Sequence, residues 1–294
     1  MKNKAWPICN VTTVDGYKLH GIYSPVENAK TNLVHIHGTG GSLFWNNFYG
    51  PISAKVNELG ISYITTNNRG SGVYELELGM PPAGITLEIF EDSLKDIDAW
   101  IEFALSNGSE SIILEGHSFG IGKTTYYMAK GKYRDLVKAV IHLGSNGVYQ
   151  TQQRYLQSKN INPQDYLDEA TKLLNEGRPT SLLRDLTALC GYYPASAQTY
   201  LDFFTQGSEM QRSTQMATKQ DGGYRSNITI PLLWVIGDNP EKEYLFVPFV
   251  EAFDLVKKEN PQVVIKQIAD SDHGFNNHES EVATLISSFL SSML

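Results

Sequence analysis

Cysteine is nearly absent from this chain. Its two cysteines, Cys9 and Cys190, lie far apart in 294 residues and form no C-x-x-C pair, which excludes a disulfide framework and a cysteine-based metal site. Long apolar runs are missing too. Nothing approaches the roughly 20 residues of a bilayer-spanning helix, so no membrane span is expected. Basic residues are outnumbered by acidic ones, 24 to 32, for a formal net charge of −8, which argues against an electrostatic grip on nucleic acid or anionic lipid. The opening MKNKAWPICNVTTVDG has two early lysines but no apolar h-region, so no secretory signal is expected and a cytoplasmic location is the default. Repeats and low-complexity tracts are also lacking. What is present, 41% hydrophobic and 19% charged residues, is the composition of a soluble globular protein with a full core.

The pattern along the chain alternates strands with helices. Val11 to Tyr23 reads as two short strands around the turn signal Asp15-Gly16. Apolar runs at Leu33–Ile36, Ile61–Thr65, Ser111–Leu114, Ala139–Leu143, Leu232–Ile236 and Val263–Ile268 read as further strands. Phe90, Leu94, Ile97, Ile101 and Ala104 recur at three- and four-residue steps, the period of an amphipathic helix, and Gly108 is its stop signal. Helices are also expected over 121–130, 246–258 and 279–294. Such alternation predicts a mostly parallel sheet covered on both faces, with the antiparallel hairpin at its edge. Between Gly147 and Ile228 the alternation stops, and helical spacing (Tyr166, Leu167, Ala170, Leu173, Leu174) mixes with many tyrosines. About eighty residues are too many for a bare loop. The expected division is therefore a core of 1–147 and 229–294 and a mainly helical lid over 148–228.

The stretch IILEGHSFGIGKTTYY, Ile112 to Tyr127, holds two overlapping motifs. A phosphate-binding loop, G-x-x-x-x-G-K-T, would match at Gly122, Lys123 and Thr124, but its first glycine falls on His117. A nucleophile elbow, G-x-S-x-G, matches completely from Gly116 to Gly120. It also has the required context of a strand before Ser118 and a helix after it. The elbow is the better reading. A turn serine capping the following helix is the bland alternative for Ser118.

These residues give the chain a resemblance to the α/β-hydrolase superfamily that covers nearly its whole length. HIHGTGG (35–41) resembles that family's strand-end H-G loop, NNRGSG (67–72) its N-x-R-G-x-G loop, GHSFG its elbow and SDHGF (271–275) its late histidine loop. The four occur in the family's order. The resemblance implies an α/β-hydrolase fold and a cofactor-independent serine hydrolase, with Ser118 as nucleophile and His273 as base. The acid would follow the strand LLWVIG: Asp238, or Glu241, since the usual spacing falls on Pro240. The oxyanion hole would use the backbone amides of Phe119 and Thr39. An ester of a small-molecule acyl substrate is the first expectation. Amide, peptide or thioester cleavage on the same triad, or a non-catalytic binding protein on the same fold, are the alternatives. Oligomeric state is not legible.

Other candidates have plainer readings. His35 and His37 share a strand face, which could suggest a metal, but no carboxylate or cysteine stands beside them at ligand spacing and packing explains them better. His278 reads as a solvated residue at the last helix. Tyr149, Tyr155, Tyr192, Tyr193, Tyr200, Phe203 and Phe204, with Phe44 and Trp45, include candidates for pocket walls; most are expected to pack the lid onto the core.

Overall fold

The computed structural model describes residues 7–214, 223–239 and 245–293. Eight strands form one sheet: β1 (Ile8–Thr12), β2 (Lys18–Ser24), β3 (Thr31–Ile36), β4 (Ile61–Thr66), β5 (Ser111–His117), β6 (Val137–Leu143), β7 (Leu232–Gly237) and β8 (Val263–Ile268). Their order is β1-β2-β4-β3-β5-β6-β7-β8. The first two strands are antiparallel and every pairing from β3 onward is parallel. The hairpin occupies the edge as expected. Gly16 supplies the positive φ of its turn, at 89°, a conformation open to glycine without steric cost.

Helices cover both faces. They are α1 (Tyr49–Glu58), α2 (Ser93–Ser106), α3 (Phe119–Lys130), α4 (Val148–Lys159), α5 (Pro163–Asn175), α6 (Ala197–Phe204), α7 (Glu209–Ser213), α8 (Phe249–Glu259) and α9 (Glu279–Ser291). The two-residue period of the strands divides the core. Val34, Ile36, Ile112, Leu114, Leu232 and Trp234 face one layer with Ile97, Trp100 and Val256. Leu33, Ile113, Ile141, Leu233 and Val235 face the other, with Ile52 and Val56 from α1 and Val282, Ile286 and Leu290 from α9. Nearly every one of these positions is fully buried, so the strands read as continuous apolar runs.

Helix α1 has no counterpart in the sequence reading. It opens with Tyr49-Gly50-Pro51, letters that punctuate turns, and its apolar stripe is short. Pro51 is tolerated because the first turn of a helix has no use for its N–H. Helix α3 begins at Phe119, two residues earlier than the apolar pattern suggests.

Between β6 and β7 lie α4 to α7 and a third cluster of buried residues, among them Tyr166, Leu183, Leu189, Tyr200, Phe203 and Met210. The cluster continues into the core through Phe90 and Phe119, and the rings of Phe119 and Phe203 are 5.3 Å apart. The insertion is thus seated on the residue that follows Ser118.

Candidate active site

The parallel strands deliver the motif residues to one end of the sheet. Ser118 follows β5, the H-G loop follows β3, Asp238 follows β7 and His273 follows β8, all at carboxyl ends, where open α/β sheets gather their sites. Ser118, His273, Gly38 and Thr39 line one cavity of about 370 Å³.

Ser118 sits at φ 55°, ψ −122°, and its side chain makes no cap to α3. That removes the helix-cap explanation. A side chain at φ > 0 is strained outside glycine, and the neighbours enforce it. A Cβ on Gly116 would lie 2.5 Å from the carbonyl oxygen of Gly120, and one on Gly120 would strike that of Ile36. Two glycines let strand, turn and helix close on each other, and the Ser118 side chain is turned out into the cavity. Gly38 approaches it from the other side, where an added Cβ would be 3.2 Å from Ser118 Oγ.

The H-G loop is braced by the N-x-R-G-x-G loop, a separate motif along the chain. Gly72 N donates to Gly40 O at 3.2 Å, Ser71 Oγ to Gly41 O at 2.9 Å and Leu43 N to Asn67 Oδ1 at 2.8 Å. The bracing loop is itself anchored by Arg69, which is 4% exposed and bonded to Asp96, Asp92 and Asp15 at 2.8–3.0 Å. A buried cation needs such partners to offset its lost hydration.

His273 lies in a loop shaped by its neighbours. Asp272 accepts hydrogen bonds from Gly274 N and Asn276 N, both at 3.0 Å. His117 Nε2 donates to the carbonyl of His273 at 2.8 Å, and the two rings are 4.9 Å apart. Burial holds His117 well below the usual histidine range, so it is a neutral donor. Asp238 is exposed, and its Oδ1 accepts a hydrogen bond from Asp270 N at 3.0 Å. It ties the loop after β7 to the loop that leads to His273. Glu241, the other candidate acid, lies outside the described residues.

Three further expectations find definite places. Lys123, the lysine of the phosphate-loop pattern, is fully buried in α3 against Glu88, where no phosphate could reach it. His35 bonds through Nδ1 to Glu115 at 2.6 Å, and both are completely buried. The register of β3 against β5 sets these two residues opposite each other, a pairing that spacing along the chain does not reveal. His37 points to Gly38 O and Asn68 N, so the two histidines serve different partners; among the described residues no cluster has the makings of a metal site. His278 pairs with Glu281 at the start of α9, at 3.3 Å.

The aromatic residues separate by location. Trp45, Tyr192 and Tyr193 line the cavity. Tyr200, Phe203 and Phe204 pack the inside of the insertion, and Phe44 is largely exposed. Further walls are Asn46, then Ser145 to Val148 and Thr151, with Leu189 and Cys190. None of these carries a motif; the folding of the insertion brings Val148, Thr151, Leu189 and Cys190 here, and the loops after β3 and β6 bring Asn46 and Ser145 to Gly147. Cys190 is buried, which pushes its thiol up to about 12 and leaves it unreactive at neutral pH.

The parallel sheet, its order, the strand–elbow–helix unit and the helices on both faces define an α/β-hydrolase fold, and this chain has it. No protein-family model matches the sequence, and no curated protein does. Solved structures do match in shape. Est1E from Butyrivibrio proteoclasticus, with ferulic acid bound, superposes with a TM-score of 0.64 at 17% identity over 97% of this chain and 98% of the other. The siderophore hydrolase EstB from Aspergillus fumigatus gives 0.67 at 12% identity, covering 100% and 99%. A soluble variant of monoglyceride lipase from Saccharomyces cerevisiae, with a substrate analogue, gives 0.62 at 16% identity, covering 98% and 96%. Identities this low speak for a shared fold.

Proposed function

We propose that the protein is a serine hydrolase that cleaves a carboxylic ester through an acyl-enzyme intermediate. The observation that carries this reading is the strained, uncapped Ser118 in one cavity with His273 and the Gly38–Thr39 loop. A serine placed only to turn the chain would not need φ > 0 and two crowded glycines beside it.

In this mechanism His273 takes the Ser118 proton as Oγ adds to the acyl carbonyl. The negative charge that develops on the carbonyl oxygen is met by the N–H groups of Thr39 and Phe119. Phe119 is the first residue of α3, so its N–H has no partner within the helix and the helix dipole favours an anion there. Collapse of the tetrahedral intermediate expels the alcohol, protonated by His273. Water then adds by the same route, releasing the acid and restoring Ser118. The carboxylate that orients His273 is Asp238 or Glu241. The insertion over 148–228 acts as the lid: it supplies Val148, Leu189 and Tyr193 to the cavity and so selects a small-molecule acyl substrate. An ester is the first reading, supported by the fold shared with a monoglyceride lipase; amide or thioester cleavage on the same triad is the second.

A fluorophosphonate probe tests the reading. A covalent adduct on Ser118 of the folded protein, lost in Ser118→Ala, together with turnover of short-chain esters, is the expected result. An unlabelled Ser118 and no turnover across an ester, thioester and amide panel would overturn it.

A further inference from the structure

We propose that Lys123 is a positioning residue for the oxyanion-binding peptide Gly38–Thr39, acting through Asn68 and His37. The proposal rests on the serine-hydrolase reading of the same site.

The chain of contacts begins at the peptide itself. Gly38 O accepts hydrogen bonds from His37 Nδ1 at 2.8 Å and Gly41 N at 3.1 Å. In a trans peptide the C=O and the following N–H point in opposite directions. Fixing Gly38 O toward His37 therefore fixes Thr39 N–H away from it. Because its partner is a carbonyl, His37 Nδ1 must carry the proton. Nε2 is then the acceptor, and it meets Asn68 N at 3.2 Å. Only this neutral tautomer satisfies both contacts, since a protonated ring would set one N–H against another. Burial and the Lys123 charge push His37 down to about 3, which preserves that state.

Asn68 is held in turn by Lys123, whose Nζ donates to Asn68 Oδ1 at 3.2 Å. Lys123 and its ion-pair partner Glu88 are 0% and 1% exposed. The Glu88 carboxylate fills the space a Cβ on Gly70 would need, so the loop after Asn68 is moulded over the pair. On its other side the Lys123 ammonium stands 5.0 Å from the ring centre of Phe119, whose N–H is the second oxyanion donor. One cation thus touches the supports of both donors. A buried ion pair is a weak source of stability, because desolvation offsets most of its attraction. Its directional bond to Asn68 explains its presence better.

The test compares turnover of a p-nitrophenyl ester with that of its thionoester, whose sulfur is a poor hydrogen-bond acceptor and gains little from an oxyanion hole. The charge-balanced double variant Lys123→Met/Glu88→Gln avoids leaving one buried charge alone, and Asn68→Ala breaks the relay without touching either charge. We expect kcat on the ester to fall roughly 10- to 100-fold, with KM within about 2-fold, and the ester-to-thionoester rate ratio to fall about 10-fold in both variants. A merely structural pair would leave that ratio at its wild-type value. An unchanged ratio in either folded variant overturns the proposal. Wild-type protein that turns over neither compound, with Ser118 unlabelled, overturns the hydrolase reading itself, and this proposal with it.

Discussion

His117 Nε2 donates a hydrogen bond to the carbonyl of His273 at 2.8 Å, so the strand that presents Ser118 also holds the loop that presents His273. His117 packs against Phe48 and Phe275, at ring separations of 5.3 and 6.3 Å, which fixes its direction. Replacing it with phenylalanine keeps the apolar contacts and removes the donor. His117→Phe is expected to lower kcat roughly 10- to 100-fold with little change in KM, because a small displacement of a catalytic base is costly in rate. Steady-state kinetics beside a thermal melt would check this; kinetics like those of the wild type would show that the loop needs no such tie.

The acid is separated by two substitutions. Asparagine at position 238 can still accept the hydrogen bond from Asp270 N, so Asp238→Asn removes charge and spares the loop. Loss of a triad carboxylate lowers kcat by about 10⁴-fold. Asp238 directly follows β7 and, among the described residues, spends only its Oδ1 on Asp270 N, so Asp238→Asn is expected to bring the large loss and Glu241→Gln a far smaller one. The reverse pattern in kcat would make Glu241 the acid.

Buried neutral histidines should make the fold acid-sensitive. His142 is completely buried in β6, its Nε2 lies 3.3 Å from Thr124 Oγ1, and burial pushes its pKa down to about 3. A base with a depressed folded pKa contributes stability that is present above its unfolded value of 6.5 and is lost as pH falls toward 3. Between those limits each such histidine adds about 1.4 kcal/mol per pH unit of slope, as an order of magnitude. His142→Gln should therefore flatten the loss of Tm between pH 6 and 4. Parallel melting curves for variant and wild type would refute the assignment.

Asp202, on α6, ties the insertion to the core by accepting Phe90 N at 2.7 Å. Burial raises its pKa well above the carboxylate range, assisted by Glu91 nearby. For an acid with a raised folded pKa, stability is full below the unfolded value of 3.8 and is lost as pH rises through the folded one. Asparagine can accept the same hydrogen bond without ionising. Asp202→Asn should accordingly raise Tm by roughly 2–4 °C near pH 8 and have no effect near pH 4. A gain that shrinks with rising pH would contradict this.

The sequence by itself determined the features that depend on near neighbours. Continuous apolar runs set the strands, because side chains one residue apart face opposite layers and both layers are buried. Small residues around Ser118 set the elbow, because steric exclusion there acts over two residues. Helix α1 escaped, since Gly50-Pro51 mask a helix held mainly by burying Ile52 and Val56 under the sheet, a tertiary contribution that outweighs local propensity. The same division governs the site. Ser118 and the His273 loop carry readable motifs, whereas the pairing of His35 with Glu115, the link from Lys123 through Asn68 to His37, and the cavity walls from Val148 to Tyr193 join residues tens of positions apart. Hydrogen bonds and burial act through space, and strand register and the seating of the insertion decide which distant side chains come within their reach.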